Sequence, residues 1–68
     1  MDNKLSKRIY ELRKELKLSQ KELAKQIGAT QKAIDFWEKG INEPKAIYII
    51  NLAKFFGVSS DYLLGLED

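Results

Sequence analysis

The sequence predicts an all-α domain, a compact bundle of five short helices around one core. Three observations carry that prediction. Apolar residues recur at helical spacing along almost the whole chain, and no stretch alternates with period two. Gly28, Gly40 and Gly57 follow three of the apolar segments, where a left-handed residue ends a helix, and Ser or Thr precedes several of them. The connections left over are short, as compact helical bundles require.

Leu5, Ile9, Leu12 and Leu16 make one stripe of a first helix, expected from Lys4 to Lys17. Ser19-Gln20-Lys21-Glu22 has the form of a capping box, in which a hydroxyl takes an orphan amide and a carboxylate reaches back. It opens a second helix running to about Ile27, with Leu23, Ala24 and Ile27 inward and Gly28 as its stop. Thr30 is a good N-cap for a third helix, Gln31 to Lys39, which Gly40 ends. Pro44 bars continuous helix through the loop that follows. A fourth helix, about Lys45 to Phe56, carries Ile49, Leu52, Ala53 and Phe56 on its core stripe. Ser59 or Ser60 caps a short fifth helix containing Asp61, Leu63 and Leu64, and residues 65–68 are expected to be the start of a linker or a frayed end. Residues 1–68 are expected to form one domain.

Composition removes several function classes. The chain has 68 residues, no Cys and no His. Disulfides, thiolate chemistry, imidazole bases and the usual zinc ligand sets are thereby excluded. There is no Gly-rich phosphate loop, and the carboxylates sit on helix faces without a converging partner. No enzyme, cofactor, metal or small-molecule ligand is expected. No apolar run approaches the roughly 20 residues that cross a bilayer, and no apolar segment follows Met1-Asp2-Asn3-Lys4 as in a secretory signal. The expectation is a cytoplasmic protein with no membrane partner. The net charge of +2 is unevenly spread: residues 1–32 hold nine Lys and Arg against four Asp and Glu, while residues 33–68 hold three against six. The N-terminal half is the side suited to a polyanion, although on charge alone solvated helix faces are the preferred reading.

Residues 20–39 carry the functional signal. Ala24 is small where two helices must cross closely, and Gly28 supplies the positive φ of a tight turn. Ile34 and Trp37 anchor the third helix to the core. At about 100° per residue, Ala33, Ile34 and Trp37 then share one side, Gln31, Lys32, Asp35 and Lys39 the other, with Phe36 on the border. This is the layout of a helix-turn-helix. The DNA major groove, about 12 Å wide, admits one such helix. Gln31 suits a bidentate pair with adenine, Lys32 a guanine or a phosphate, and Gln20 a phosphate drawn to the start of the second helix. An ordinary helical hairpin with a polar outer face is the plainer reading of the same residues.

The chain resembles the Cro and phage-repressor helix-turn-helix family, often called XRE. The resemblance rests on residues 9–13 (IYELR), 18–24 (LSQKELA), 34–40 (IDFWEKG), 52–54 (LAK) and 56–64 (FGVSSDYLL), in order and with the family's spacing. It implies a lambda-repressor-like five-helix domain that binds operator DNA, usually as a two-fold dimer, and controls transcription, most simply as a repressor. It also implies base or phosphate roles for Gln20, Gln31 and Lys32, and a mostly buried salt bridge between Arg13 and Glu38. For Arg13 on its own, a local pair with Glu11 or Glu15 is the competing expectation.

Two positions depart from the family pattern. Phe36 stands where a polar or basic residue is usual, and Asp35 where Ser or Thr is common. Phe36 suits a thymine methyl or the core; Asp35 suits cytosine N4 but adds negative charge beside phosphates. Arg8, Lys39, Asn42 and Lys45 flank the reading helix and are further phosphate candidates. Tyr48, Phe55, Tyr62 and Leu66 lie off the main core stripe and form a candidate dimer patch, unless neighbouring helices cover them. Such a dimer would set two reading helices about 34 Å apart, on an inverted repeat. The rival function is a protein-interaction module, such as an antitoxin or a regulator subunit. Residues 1–68 suit either a whole small regulator or the first domain of a longer repressor.

Overall fold

A computed structural model describes residues 3–68. Among them are five helices and no strand: α1 Lys4–Glu15, α2 Gln20–Ile27, α3 Gln31–Lys39, α4 Ala46–Phe56 and α5 Ser60–Leu64. Local chemistry sets most boundaries. The Asn3 side chain caps α1, Ser19 caps α2 within a complete capping box, Thr30 caps α3 and Ser59 caps α5. Each side-chain oxygen takes one of the amides that a helix start leaves without an intrahelical acceptor.

The first helix is shorter than its apolar stripe suggests. It stops at Glu15, Leu16 is its C-cap, and Lys17 turns left-handed at φ 58° although it is not glycine. Leu18 N–H closes the turn on Arg13 O at 3.2 Å. Leu16 thereby leaves the core and stands 52% exposed. The fourth helix begins one residue late, at Ala46, because Lys45 is extended at φ −66°, ψ 160°.

The core collects side chains from every helix: Leu5 and Ile9, then Leu23, Ala24 and Ile27, then Ile34 and Trp37, Leu52 and Ala53, and Leu63. Ile9, Leu23, Ile34, Leu52 and Leu63 are fully enclosed. Each such side chain contributes about 1.5–3 kcal/mol of transfer free energy, which a domain of this size needs in the absence of disulfides. The core lies behind α2 and α3, so it fixes the face that α3 turns outward.

The tail is not frayed. Gly65 ends α5 at φ 83°, and Leu66 N–H returns to Asp61 O at 2.8 Å. Gly65 also abuts α1: a Cβ there would lie 2.9 Å from Lys4 Cβ. Arg8 of α1 donates through Nη1 to the carbonyls of Tyr62 and Glu67, and its guanidinium lies 4.1 Å from the Tyr62 ring centroid.

Candidate nucleic-acid interface

The turn between α2 and α3 is built by three contacts. Gly28 takes φ 74°, ψ 28°, and its amide and that of Ala29 both return to Ala24 O. Ala24, only 4% exposed, lets the two helices meet. Asn51 reaches across from α4 and donates to the Ile27 carbonyl at 3.3 Å, which supplies a partner to the end of α2.

Burial of Ile34 and Trp37 turns the opposite side of α3 to solvent. Gln31, Lys32 and Lys39 are exposed there, and Asp35 and Phe36 are half-buried at its edges. Phe36 is not among the side chains packed on the core. Its ring stays on the outer face, with Lys32 Nζ 5.6 Å from its centroid. Of the two placements open to the sequence, the structure has the outward one.

Charged groups pin this helix from behind. Arg13 Nε donates to Glu38 Oε2 at 2.6 Å and Nη2 to Oε1 at 2.9 Å, while Nη1 donates to Leu18 O at 2.8 Å. The pair joins α1 to α3, and Arg13 has its tertiary partner rather than Glu11 or Glu15. The hydrogen bond to Glu38 holds the Arg13 pKa above its ordinary value, against the opposing effect of burial. Gln20 extends the network. Its Nε2 donates to Glu38 Oε1 at 3.1 Å and to Asp35 Oδ1 at 3.2 Å. Asp35 Oδ2 in turn takes Lys39 Nζ at 3.0 Å. The hydrogen bonds from Lys39 and Gln20, in that order, hold the Asp35 carboxyl below its usual range.

The start of α2 offers a different set of donors. Ser19 Oγ takes Glu22 N–H at 3.0 Å and Glu22 Oε1 takes Ser19 N–H at 2.9 Å. The next two amides, of Gln20 and Lys21, have no acceptor within the helix and suit an anion. The side-chain amide of Gln20, in contrast, already has both hydrogens engaged with Asp35 and Glu38. Asn42 and Lys45 are exposed in the loop after α3.

Arg8 is the position that the structure reassigns. The sequence makes it a phosphate candidate, but its side chain is only 13% exposed and its Nη1 donates to the carbonyls of Tyr62 and Glu67. The apolar set on α4 and α5 also changes character. Tyr48 packs on Trp37 with centroids 5.3 Å apart, Phe55 meets Phe56 edge-on at 5.5 Å, and both rings line the core. Tyr62 lies under Arg8. Leu66 remains open, at 73% exposure, as do Ile47 and Ile50 on α4. The four residues therefore do not form one open patch, because Tyr48, Phe55 and Tyr62 are engaged in packing and Leu66 alone is open.

No helix among the described residues is long and apolar enough to cross a membrane. No group of His, Cys, Asp and Glu among them has the arrangement of a metal site.

Five helices, with a glycine turn presenting α3 on the outer surface, define a helix-turn-helix domain. A family model described as helix-turn-helix matches residues 9–63, and the chain belongs to that family, of the phage-repressor type. It is 38% identical over 60 residues to the repressor protein C2 of Salmonella phage P22, covering 88% of this chain and 28% of that protein. It is 36% identical over 61 residues to the HTH-type transcriptional regulator YobD of Bacillus subtilis, covering 90% of this chain and 54% of that protein. A crystal structure of the P22 c2 repressor in complex with a synthetic operator superposes with a TM-score of 0.88 at 36% identity, covering 93% of this chain and 96% of that one. The chain thus spans between about a quarter and about half of the length of these two curated relatives.

Proposed function

We propose that this domain binds double-stranded DNA sequence-specifically, with α3 in the major groove, and acts as a transcriptional regulator, most simply a repressor. The observation that carries this reading is the outer face of α3. Gln31, Lys32 and Phe36 project from a short helix whose other side is buried and whose Glu38 is bonded to α1. A rigidly presented face is what base readout requires, since hydrogen bonds to base edges tolerate little misplacement. The likeness to a repressor crystallised on an operator supports the same reading.

In this account Gln31 and Lys32 meet base edges and Phe36 meets a thymine methyl. The α2 amides, Lys39, Asn42 and Lys45 hold phosphates on either side. Two copies bind an inverted repeat, meeting on the α4–α5 side through the open parts of Phe55 and Tyr62 and through Leu66. The domain, residues 1–68, works in the cytoplasm and needs no cofactor and no catalytic chemistry. One observation favours a second reading, a protein-interaction module such as an antitoxin: the Phe36 ring, half-buried at the edge of the presented face.

Selection of bound duplexes from a random pool, at near-physiological salt, tests the proposal. Enrichment of an inverted repeat with half-sites about one helical turn apart is expected. Absence of any enriched sequence would overturn sequence-specific recognition and favour the protein-binding reading.

A further inference from the structure

We infer that Asp35 is an internal mimic of a DNA phosphate, a carboxylate on α3 that occupies donors meant for the backbone and so limits how tightly the domain holds DNA of any sequence. The inference rests on the DNA-binding reading above and goes beyond it, because it removes Asp35 from base readout and gives it a regulatory role.

Two donors from different helices converge on this carboxylate. Gln20 Nε2, at the start of α2, donates to Oδ1 at 3.2 Å, and Lys39 Nζ, at the end of α3, lies 3.0 Å from Oδ2. Both residues have the chemistry and the position of phosphate ligands: one begins the helix whose free amides attract anions, and the other is a lysine at the rim of the presented face. A carboxylate and a phosphate oxygen ask for the same donors in similar geometry. Gln20 must therefore release Asp35 to serve a phosphate, while the Lys39 ammonium, with three N–H donors, shares its charge between the two. Gln20 has no spare hydrogen on its side chain, since its second bond goes to Glu38 Oε1.

The contact is arranged to yield. The Asp35 side chain is 30% exposed and the Lys39 side chain 61%, so the pair sits where solvent and salt screen it. Exposed pairs of this kind are weak. A phosphate, carrying a full charge and flanked by others along the duplex, displaces the carboxylate without disturbing the buried Arg13–Glu38 pair beneath. Asp35 itself then stands as an uncompensated negative charge close to the DNA. The result is a repulsion felt equally at every sequence, which lowers general affinity and leaves discrimination between bases to Gln31, Lys32 and Phe36. Such a residue sets how much DNA of any kind the domain occupies, and leaves the ratio between sites unchanged.

The test uses a random-sequence duplex and the site selected above, titrated against the whole chain by fluorescence anisotropy at several salt concentrations. Asp35→Asn keeps an oxygen for Gln20 and removes the charge. It is expected to tighten binding to both duplexes alike, by about three- to tenfold at about 0.1 M salt. It should also make log K against log salt steeper by nearly one, because no unpaired carboxylate is left to take up a cation when Lys39 turns to a phosphate. In a Lys39→Ala background the added steepness should vanish and the gain should shrink. In the free protein, Asp35→Asn should move the Lys39 side-chain NMR resonances, a readout that does not involve DNA. If the wild type binds and Asp35→Asn changes neither affinity nor slope, the inference is overturned while the function stands. The same holds if the variant loses discrimination between the two duplexes, which would make Asp35 a base reader. A wild type that binds neither duplex overturns the function, and the inference with it.

Discussion

Arg13 and Glu38, 25 positions apart in the chain, face each other through two hydrogen bonds of 2.6 and 2.9 Å, with side chains only 9% and 5% exposed. The pair ties α1 to the helix that presents the candidate reading face. Removing either partner strands a charge that has already lost its water. Arg13→Ala or Glu38→Ala should each cost about 3–5 kcal/mol in urea unfolding. A domain of this length holds about 3–10 kcal/mol in total, so either variant should be close to unfolded at 37 °C. Arg13→Met with Glu38→Leu, which removes both charges and keeps volume, should recover most of the loss. A double variant no better than the singles would mean that the bonds from Arg13 to Leu18 O and from Gln20 to Glu38 matter more than the pair.

Lys17 and Gly28 make an instructive contrast in backbone strain. Both are left-handed, at φ 58° and 74°, but only one is glycine. Lys17→Gly should stabilise the domain by about 0.5–1 kcal/mol by relieving that conformation. Gly28→Ala should cost about 1 kcal/mol, because a Cβ there meets nothing within 4 Å and only the dihedral is penalised. Gly65→Ala should cost more than Gly28→Ala, since its Cβ also meets Lys4 at 2.9 Å. Equal losses at the two glycines would show that α5 yields to the contact.

The helices were legible because their ends carry their own chemistry. Ser19 with Glu22, Thr30 and the glycines at 28, 40 and 57 mark boundaries from two or three neighbouring residues, and the structure keeps those boundaries. Lys17 hid the end of α1, because a left-handed lysine has no sequence signature. The side chains that needed tertiary structure to place were those whose partners lie far away. Arg8 finds carbonyls at Tyr62 and Glu67, more than fifty residues on, and nothing near it announces that partner. Asn51 reaches Ile27 O, and Gln20 meets Asp35 and Glu38, only after α2 has packed on α4 and α3. The outward face of α3 followed from periodicity alone, since Ile34 and Trp37 leave it one orientation.

Acid should weaken α2 in a defined direction. Glu22 is held below its ordinary value of 4.5, chiefly by the Ser19 amide and then by the Ser19 hydroxyl. A lowered carboxyl contributes stability that is complete above the ordinary value and is lost as pH falls through the lowered one. The melting temperature of the wild type should therefore fall on acidification below about pH 4.5 more than that of Glu22→Gln, whose reach-back contact does not titrate. Parallel curves for the two proteins would remove Glu22 from the account.

Arg8 should behave as a clamp on the chain end. Arg8→Ala should lower stability by about 1–3 kcal/mol, through loss of two charged hydrogen bonds and the contact over Tyr62. Amide exchange should rise at Gly65 and Leu66, whose N–H groups return to α5. The slope of log K against log salt for DNA should stay as in the wild type. A shallower slope would restore Arg8 to the phosphate contacts.

Lys32→Ala should weaken binding to the selected site by about 1–3 kcal/mol and change the preferred base at one position, while binding to random DNA falls much less. Equal losses on both would make Lys32 a phosphate ligand.

Whether α3 lies in the major groove is decided by NMR of the labelled domain on its selected duplex. Intermolecular contacts are expected from Gln31, Lys32 and Phe36 to major-groove protons, with the Phe36 ring close to a thymine methyl. Contacts confined to other helices, with the α3 resonances unmoved, would contradict that placement.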